Sequence, residues 1–300
     1  MSFLLADIGG TYTRLAVLNG NKMSPITGYE NKNFKSLEDV LSHYLSDKEI
    51  PQHFIAGIAG VPKDDIIQMP NLSWKIDNKK LKKTFRFKTI RFVNDFALQG
   101  YGIRHLRTTD FVEFGGKKKK GPALIMGAGT GLGVCFSDQS IFESEAGHAT
   151  AVGLTTTQKR IIDNLARKFG HVSFERLVSG PGLENIYFIL SRTRATTWDI
   201  YSYAKKNNLK ALQSYQLLFE FWGILAGNLA LSLKTTGGIY LVGNIISDPF
   251  IMKLFKKSKF RSYFEKKGRC QSLLKEIPIY VVTRKNLAFD GLKELAKQEK

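Results

Sequence analysis

Cysteine is nearly absent from this chain: two occur in 300 residues, Cys135 and Cys270, far apart and with no CxxC or Cys/His cluster beside either. That excludes a disulfide framework and a multi-cysteine zinc site. Cys135 follows a glycine-rich strand pattern and reads as a small core residue. Acidic residues are scarce beside basic ones, 26 against 45, and the net charge is +19. Such an excess attracts polyanions in general. The basic residues fall into separate clusters within 79–88, 117–120 and 253–267, and no basic helix carries interleaved aromatics. They read as a solvated surface, with no specific nucleic-acid site. Long apolar runs are also lacking. The longest, 217–233, is interrupted by Glu220, Asn228 and Ser232 and falls short of the roughly 20 apolar residues of a membrane span. It predicts a buried core helix and no membrane partner. The N-terminus has no basic stretch before its short apolar run, so a secretory leader is not expected and a cytoplasmic location is.

What is present is an ordinary globular composition, 43% hydrophobic and 24% charged, over a length that suits two domains. Residues 3–7 form an apolar run ending in an acid, Gly9-Gly10 makes a tight turn, and 14–18 returns as a second strand. Ser36 reads as an N-cap with Asp39 three residues on, and Leu37, Val40, Leu41 and Tyr44 share one helix face. Residues 54–59 and 89–93 suit buried, parallel strands. The lysine run 117–120 between glycines reads as an exposed loop before a strand at 123–126, and strand patterns continue through Phe142. Helices then dominate, the longest over 209–234, with later strands at 239–242 and 279–282 and a terminal helix over 287–297. No repeat of 20 to 50 residues is visible. The class is α/β, with mixed sheets in two lobes.

Three nucleotide motifs fail. Residues 116–121 have the glycine spacing of a phosphate loop but Pro122 where its lysine belongs; Gly127, Gly129, Gly131 and Gly133 alternate instead of forming GxGxxG; and no HRD or DFG segment exists. Two glycine hairpins remain, Asp7-Ile8-Gly9-Gly10-Thr11 and Gly127-Ala128-Gly129-Thr130-Gly131-Leu132-Gly133. Glycines there admit backbone N–H groups close to phosphate oxygens, and Thr11 and Thr130 add hydroxyl donors. Asp7 beside the first hairpin suits a hydrated Mg²⁺ on the phosphates. A second constellation lies at strand and loop ends: Asn94-Asp95, Glu145, His148 and Glu175. Asp95 could serve there simply as a helix cap. Acids, an amide and a histidine so placed are also what a polyhydroxylated ligand needs, since each hydroxyl requires a matched donor and acceptor.

Taken together, DIGGTYTRLAV (7–17), VNDF (93–96), GAGTGLGV (127–134), EAGH (145–148), ERLVSGPGLEN (175–185) and GGIYLVG (237–243) resemble the bacterial glucokinases of the sugar-kinase, actin and heat-shock-chaperone ATPase superfamily, almost end to end. The resemblance implies an actin-like ATPase fold, two ribonuclease H-like lobes with a sugar and nucleotide cleft between them. The expected division is a small domain of 1–107 plus the terminal helix 286–300, and a large domain of 108–285. It implies ATP-dependent phosphorylation of glucose at its C6 hydroxyl, the entry step of glycolysis, with Asp95 as catalytic base. Asn94, Asp95, Glu145, His148 and Glu175 are the implied sugar contacts. Asp7, Gly9, Gly10, Thr11, Gly129, Thr130, Gly131 and Gly243 are the implied nucleotide contacts, with Mg²⁺ held through water near Asp7. The cysteine-rich zinc motif of ROK-type kinases is missing, which resembles the zinc-free branch. Tyr12, Asn244 and the segment 286–291 depart from the family pattern, all on the nucleotide side. Two alternatives stand beside this reading: a kinase for another hexose or an amino sugar, and an inactive sugar-sensing regulator. A homodimer is left open.

Overall fold

The computed structural model describes residues 1–58, 65–69 and 72–299. Its chain divides into two compact units, residues 1–106 with 284–300, and residues 107–283.

The first unit is built on a hairpin of β1 (Ser2–Ile8) and β2 (Tyr12–Asn19), antiparallel and in register from Ser2 with Asn19 to Ile8 with Thr13. Short β3 (Lys22–Met23) and β4 (Thr27–Glu30) both pair with β2. After α1 (Leu37–Leu45), β5 (His53–Ile58) lies parallel to β1. Residue 59, expected as the end of this strand, lies outside the described residues. A small ribbon of β6 (Ile66–Gln68) and β7 (Lys75–Asp77) leads into α2 (Asn78–Phe85), and β8 (Thr89–Asn94) completes the sheet parallel to β5. Next come α3 (Asp95–Gly102) and, from the far end of the chain, the terminal helix Leu287–Gln298.

Alternation of side chains along a strand divides the core in two. Leu4, Ala6 and Ile8 of β1 face the cluster that holds Leu37, Val40 and Leu41 of α1 and Leu81 of α2. Phe3 and Leu5 face Leu98 of α3 and Phe289, Leu292 and Leu295 of the terminal helix. These last two helices meet backbone to backbone. A Cβ on Gly102 would run into the Leu287 carbonyl, and one on Gly291 into the Leu98 carbonyl. The terminal helix begins at Asn286, whose φ of +59° is left-handed. Asparagine is among the few non-glycine residues that adopt this conformation readily, which accounts for a left-handed entry to this helix without a glycine.

In the second unit, β9 (Phe111–Phe114) lies at one sheet edge, and β10 (Ala123–Ala128), β11 (Leu132–Ser137) and β12 (Ile141–Ser144) form an antiparallel meander. Four helices follow: α4 (Thr156–Phe169), α5 (Gly180–Ser191), α6 (Thr197–Lys205) and α7 (Leu209–Leu233). Beyond them come β13 (Gly238–Val242), α8 (Asn244–Ser247), α9 (Pro249–Lys256), α10 (Phe260–Glu265), α11 (Gln271–Lys275) and β14 (Ile279–Val282). The sheet order is β12-β11-β10-β13-β14-β9, with β13 parallel to both β10 and β14. An antiparallel meander followed by two parallel strands is thus common to both units. Helix α7 is long and apolar enough to cross a membrane by composition, but its middle, from Leu217 to Gly227, is buried in this unit's core.

The lysine cluster within 79–88, read from sequence as a solvated surface, proves in part to be the amphipathic helix α2. Leu81 and Phe85 are buried there and Lys79, Lys80, Lys82 and Lys83 lie on its outer side. Period 3.6 was masked in the sequence because only two apolar residues mark the buried face.

Candidate active site

The predicted residues fall into two sets, one in each unit. In the first unit, the β1–β2 turn closes with the Gly9 amide donating to the Tyr12 carbonyl at 3.0 Å. Asn31, which the sequence reading missed, braces this turn from beneath. Its amide nitrogen donates to the Gly9 carbonyl at 2.8 Å, its oxygen accepts from the Thr13 hydroxyl at 2.8 Å, and its backbone amide donates to the Thr11 carbonyl at 2.9 Å. Only 2% of Asn31 is exposed. Tyr12 turns its hydroxyl away to Glu30 of β4 at 3.0 Å, its register partner.

Asp7 is buried at the end of β1, and its carboxylate is ion-paired with Arg14, the residue directly opposite it on β2. Arg14 also donates to the Asn286 side chain at 3.2 Å. Arg14 too was missed. The signal was available, because a hairpin register that pairs Asp7 with position 14 puts an acid opposite a base. Among the described residues no group of three or more His, Cys, Asp or Glu could hold a metal. One carboxylate nevertheless fits Mg²⁺, which usually keeps several waters and takes only one or two carboxylates besides the phosphates.

At the end of β8, Asn94 is the N-cap of α3, its Oδ1 accepting from the amides of Phe96 at 2.9 Å and Ala97 at 3.1 Å. The capping role considered for Asp95 therefore belongs to Asn94. Asp95 is the first residue inside the helix, where the dipole favours a carboxylate. Gly57 of β5 lies under this turn, and a Cβ there would stand 3.4 Å from the Asp95 Cα.

In the second unit, the β10–β11 turn closes with the Gly129 amide donating to the Gly131 carbonyl at 2.8 Å, and the Gly129 carbonyl accepts from Gly180, the first residue of α5, at 2.8 Å. Glu175 is joined to the same turn, its Oε2 accepting from the Leu132 amide at 3.0 Å. A Cβ on Gly131 would lie 2.6 Å from that oxygen, so a side chain there would push the Glu175 carboxylate from its place on the Leu132 amide. Ser179 ties the segment to α5, donating to the Glu175 carbonyl at 2.7 Å and capping Gly182 at 3.0 Å. Gly243, at φ +104°, closes β13 against this turn, and its Cβ would stand 3.2 Å from the Ala128 carbonyl.

Glu145, His148 and Glu175 meet around the histidine ring. Nε2 of His148 is 3.7 Å from the Glu145 carboxylate and Nδ1 is 3.9 Å from the Glu175 carboxylate. Both distances exceed a hydrogen bond, so the three groups are gathered without spending their polar atoms on one another. The cluster is held from behind, where Phe174 donates its amide to the Ala149 carbonyl at 3.0 Å and Ala151 donates to the Val172 carbonyl at 2.8 Å. Glu175 thus belongs at once to the polar cluster and to the glycine turn.

Paired lobes of this sheet order, each with a glycine hairpin, define the actin-like ATPase fold of the two-domain sugar kinases. A solved glucokinase from an Antarctic psychrotroph superposes with a TM-score of 0.85 at 25% identity, covering 99% of each chain. The glucokinase family model matches residues 4–299, and the chain belongs to that family. It is 34% identical over 297 residues to a glucokinase of Photorhabdus laumondii, covering 93% of this chain and 92% of that one. It is also 33% identical over 313 residues to a bifunctional protein glk of Burkholderia pseudomallei; the match takes in 99% of this chain, which spans about half the length of that relative, 48%.

Proposed function

We propose that this protein transfers the γ-phosphoryl group of ATP to the C6 hydroxyl of glucose. The observation that carries this reading is the Glu145, His148 and Glu175 cluster joined through Glu175 to the Gly129–Gly131 turn, which ties a polyol-binding set to a phosphate-binding turn. Glu145, His148, Glu175 and Asn94 orient the sugar, and Asp95 takes the proton of the attacking hydroxyl. Phosphoryl transfer proceeds through a loose transition state, so positioning and charge neutralisation supply most of the rate. The Gly9 and Gly129 amides close the two turns, which sets the backbone amides of Gly10 and Gly131, with the hydroxyls of Thr11 and Thr130, to meet the phosphates, and Gly243 lies on the adenosine side. Asp7 would hold Mg²⁺ through water, and the ion would neutralise phosphate charge. Arg14 keeps the Asp7 carboxylate in place through their ion pair. We place the reaction in the cytoplasm, at the entry to glycolysis.

The test is a coupled ADP-release assay with ATP and Mg²⁺ across glucose, mannose, fructose and glucosamine. Glucose is expected to give the highest kcat/KM. A higher value for another sugar reassigns the substrate, and no turnover with any of them in folded protein overturns the kinase reading.

A further inference from the structure

A buried polar relay in the second unit ends on the segment between His148 and α4. Gln158, fully buried in the first turn of α4, accepts with its amide oxygen from the backbone amides of Leu154 at 2.8 Å and Thr155 at 3.1 Å. Its amide nitrogen donates to Oε2 of Glu220 at 2.7 Å. Glu220 lies in the middle of α7, 7% exposed, and its Oε1 accepts from Gln216 at 3.1 Å. The Tyr263 phenol of α10 faces the same carboxylate, and burial followed by that negative charge holds its pKa above the ordinary value. A carboxylate within an apolar core helix is unfavourable unless its oxygens are engaged. Packing alone would be served by an apolar residue of similar volume.

What the carboxylate supplies is a direction. An amide side chain can turn over, exchanging oxygen for nitrogen with almost no change of shape. An ionised carboxylate only accepts, so beside Glu220 the Gln158 nitrogen must face α7 and its oxygen must face the 154–155 backbone. That fixes one end of the loop 149–155. The other end starts next to His148 and is bonded to 172–174, immediately before Glu175, through the Ala149–Phe174 and Ala151–Val172 bonds. The loop therefore connects the relay to both residues. The glycine turn meets Glu175 through the Leu132 amide, but the β10–β11 ladder and the Gly180 bond hold it as well, and neither involves the 149–155 loop.

We infer that Glu220 is a positioning residue for sugar recognition, acting through Gln158 to hold the 149–155 loop and so the placement of His148 and Glu175; this rests on the sugar-kinase reading above. The effect falls on the sugar and spares the nucleotide. Steady-state kinetics with glucose and ATP on the full chain test it in three variants. Gln158→Glu keeps the acceptors for Leu154 and Thr155 but sets carboxylate against carboxylate, and the glucose KM is expected to rise roughly tenfold while the ATP KM stays within about twofold. Adding Glu220→Gln to it restores the pair, since the new amide can donate to the new carboxylate and accept from Gln216. The double variant should return to within about twofold of wild type. Glu220→Met removes the acceptor at similar volume and should repeat the selective rise, which also decides the matter if Gln158→Glu does not fold. A glucose KM unmoved in the folded single variants, a double variant no better than Gln158→Glu, or equal rises for both substrates would each overturn the relay. A wild-type protein inactive on glucose would instead overturn the kinase reading, before any variant is compared.

Discussion

Asn94 caps α3 through two backbone amides, and Asp95 follows it as the first helical residue. Adjacent polar residues at one strand end thus have separable consequences. Asp95→Asn keeps size and an acceptor but cannot take a proton. Its kcat should fall by about 10²- to 10⁴-fold, the usual worth of a general base, with the glucose dissociation constant and the thermal midpoint little changed. Asn94→Ala should lose about 1 kcal/mol of stability, the typical cost of an N-cap, and, as a sugar contact, weaken glucose binding as well. Kinetics, glucose titration and thermal unfolding on both proteins check the pair. A stable Asp95→Asn enzyme keeping more than about a tenth of wild-type kcat removes Asp95 from the base role.

The packing of α3 on the terminal helix is the element on which the Asp95 position depends. These helices are separated by more than half of the chain and approach through Gly102 and Gly291, where any Cβ meets a backbone carbonyl that cannot step aside. Around the crossing, Arg284 pairs with Asp290 at 2.5 and 2.9 Å, and His105 with Glu294 at 3.0 Å. Gly291→Ala should lower stability by about 1–3 kcal/mol, the range for an overpacked core, although alanine is the better helix former. Urea unfolding measures it. A midpoint equal to or above wild type would mean that the two helices can part without loss.

For the whole molecule the outstanding property is the charge of +19. Some of it is locally compensated, as in the ion pairs Lys79–Asp65, Lys80–Glu38 and Lys119–Glu276. A dispersed basic surface binds polyanions by counterion release alone, with steep salt dependence. Duplex DNA binding, followed by fluorescence anisotropy, should be weak at about 50 mM salt and vanish by about 200 mM, and glucose turnover should be indifferent to added DNA. Tight binding at the higher salt would show a nucleic-acid site.

Much of this protein was legible in one dimension because local backbone demands leave local marks. The Ser36 cap with its Asp39 partner, the glycine hairpins, the apolar strand 279–282 and the buried run within α7 all follow from neighbours in the chain. The residues of the candidate site were legible for a related reason: each stands at the end of a strand or in a turn, where its type is unusual for its surroundings. Helix α2 was not, since a helix with two buried residues among lysines has little periodicity to read.

What only the tertiary structure decided is which residue answers which. Asn31 beneath the Gly9 turn, Glu175 on the Leu132 amide, Gln158 against Glu220, and Asn286 on Arg14 are partners 22, 43, 62 and 272 positions apart. Hydrogen bonds and close contacts act over a few ångströms regardless of chain separation, so no local pattern encodes them. They exist because parallel strands and returning helices bring distant segments together, and the cost of burying an unpaired polar group then favours those that meet a partner.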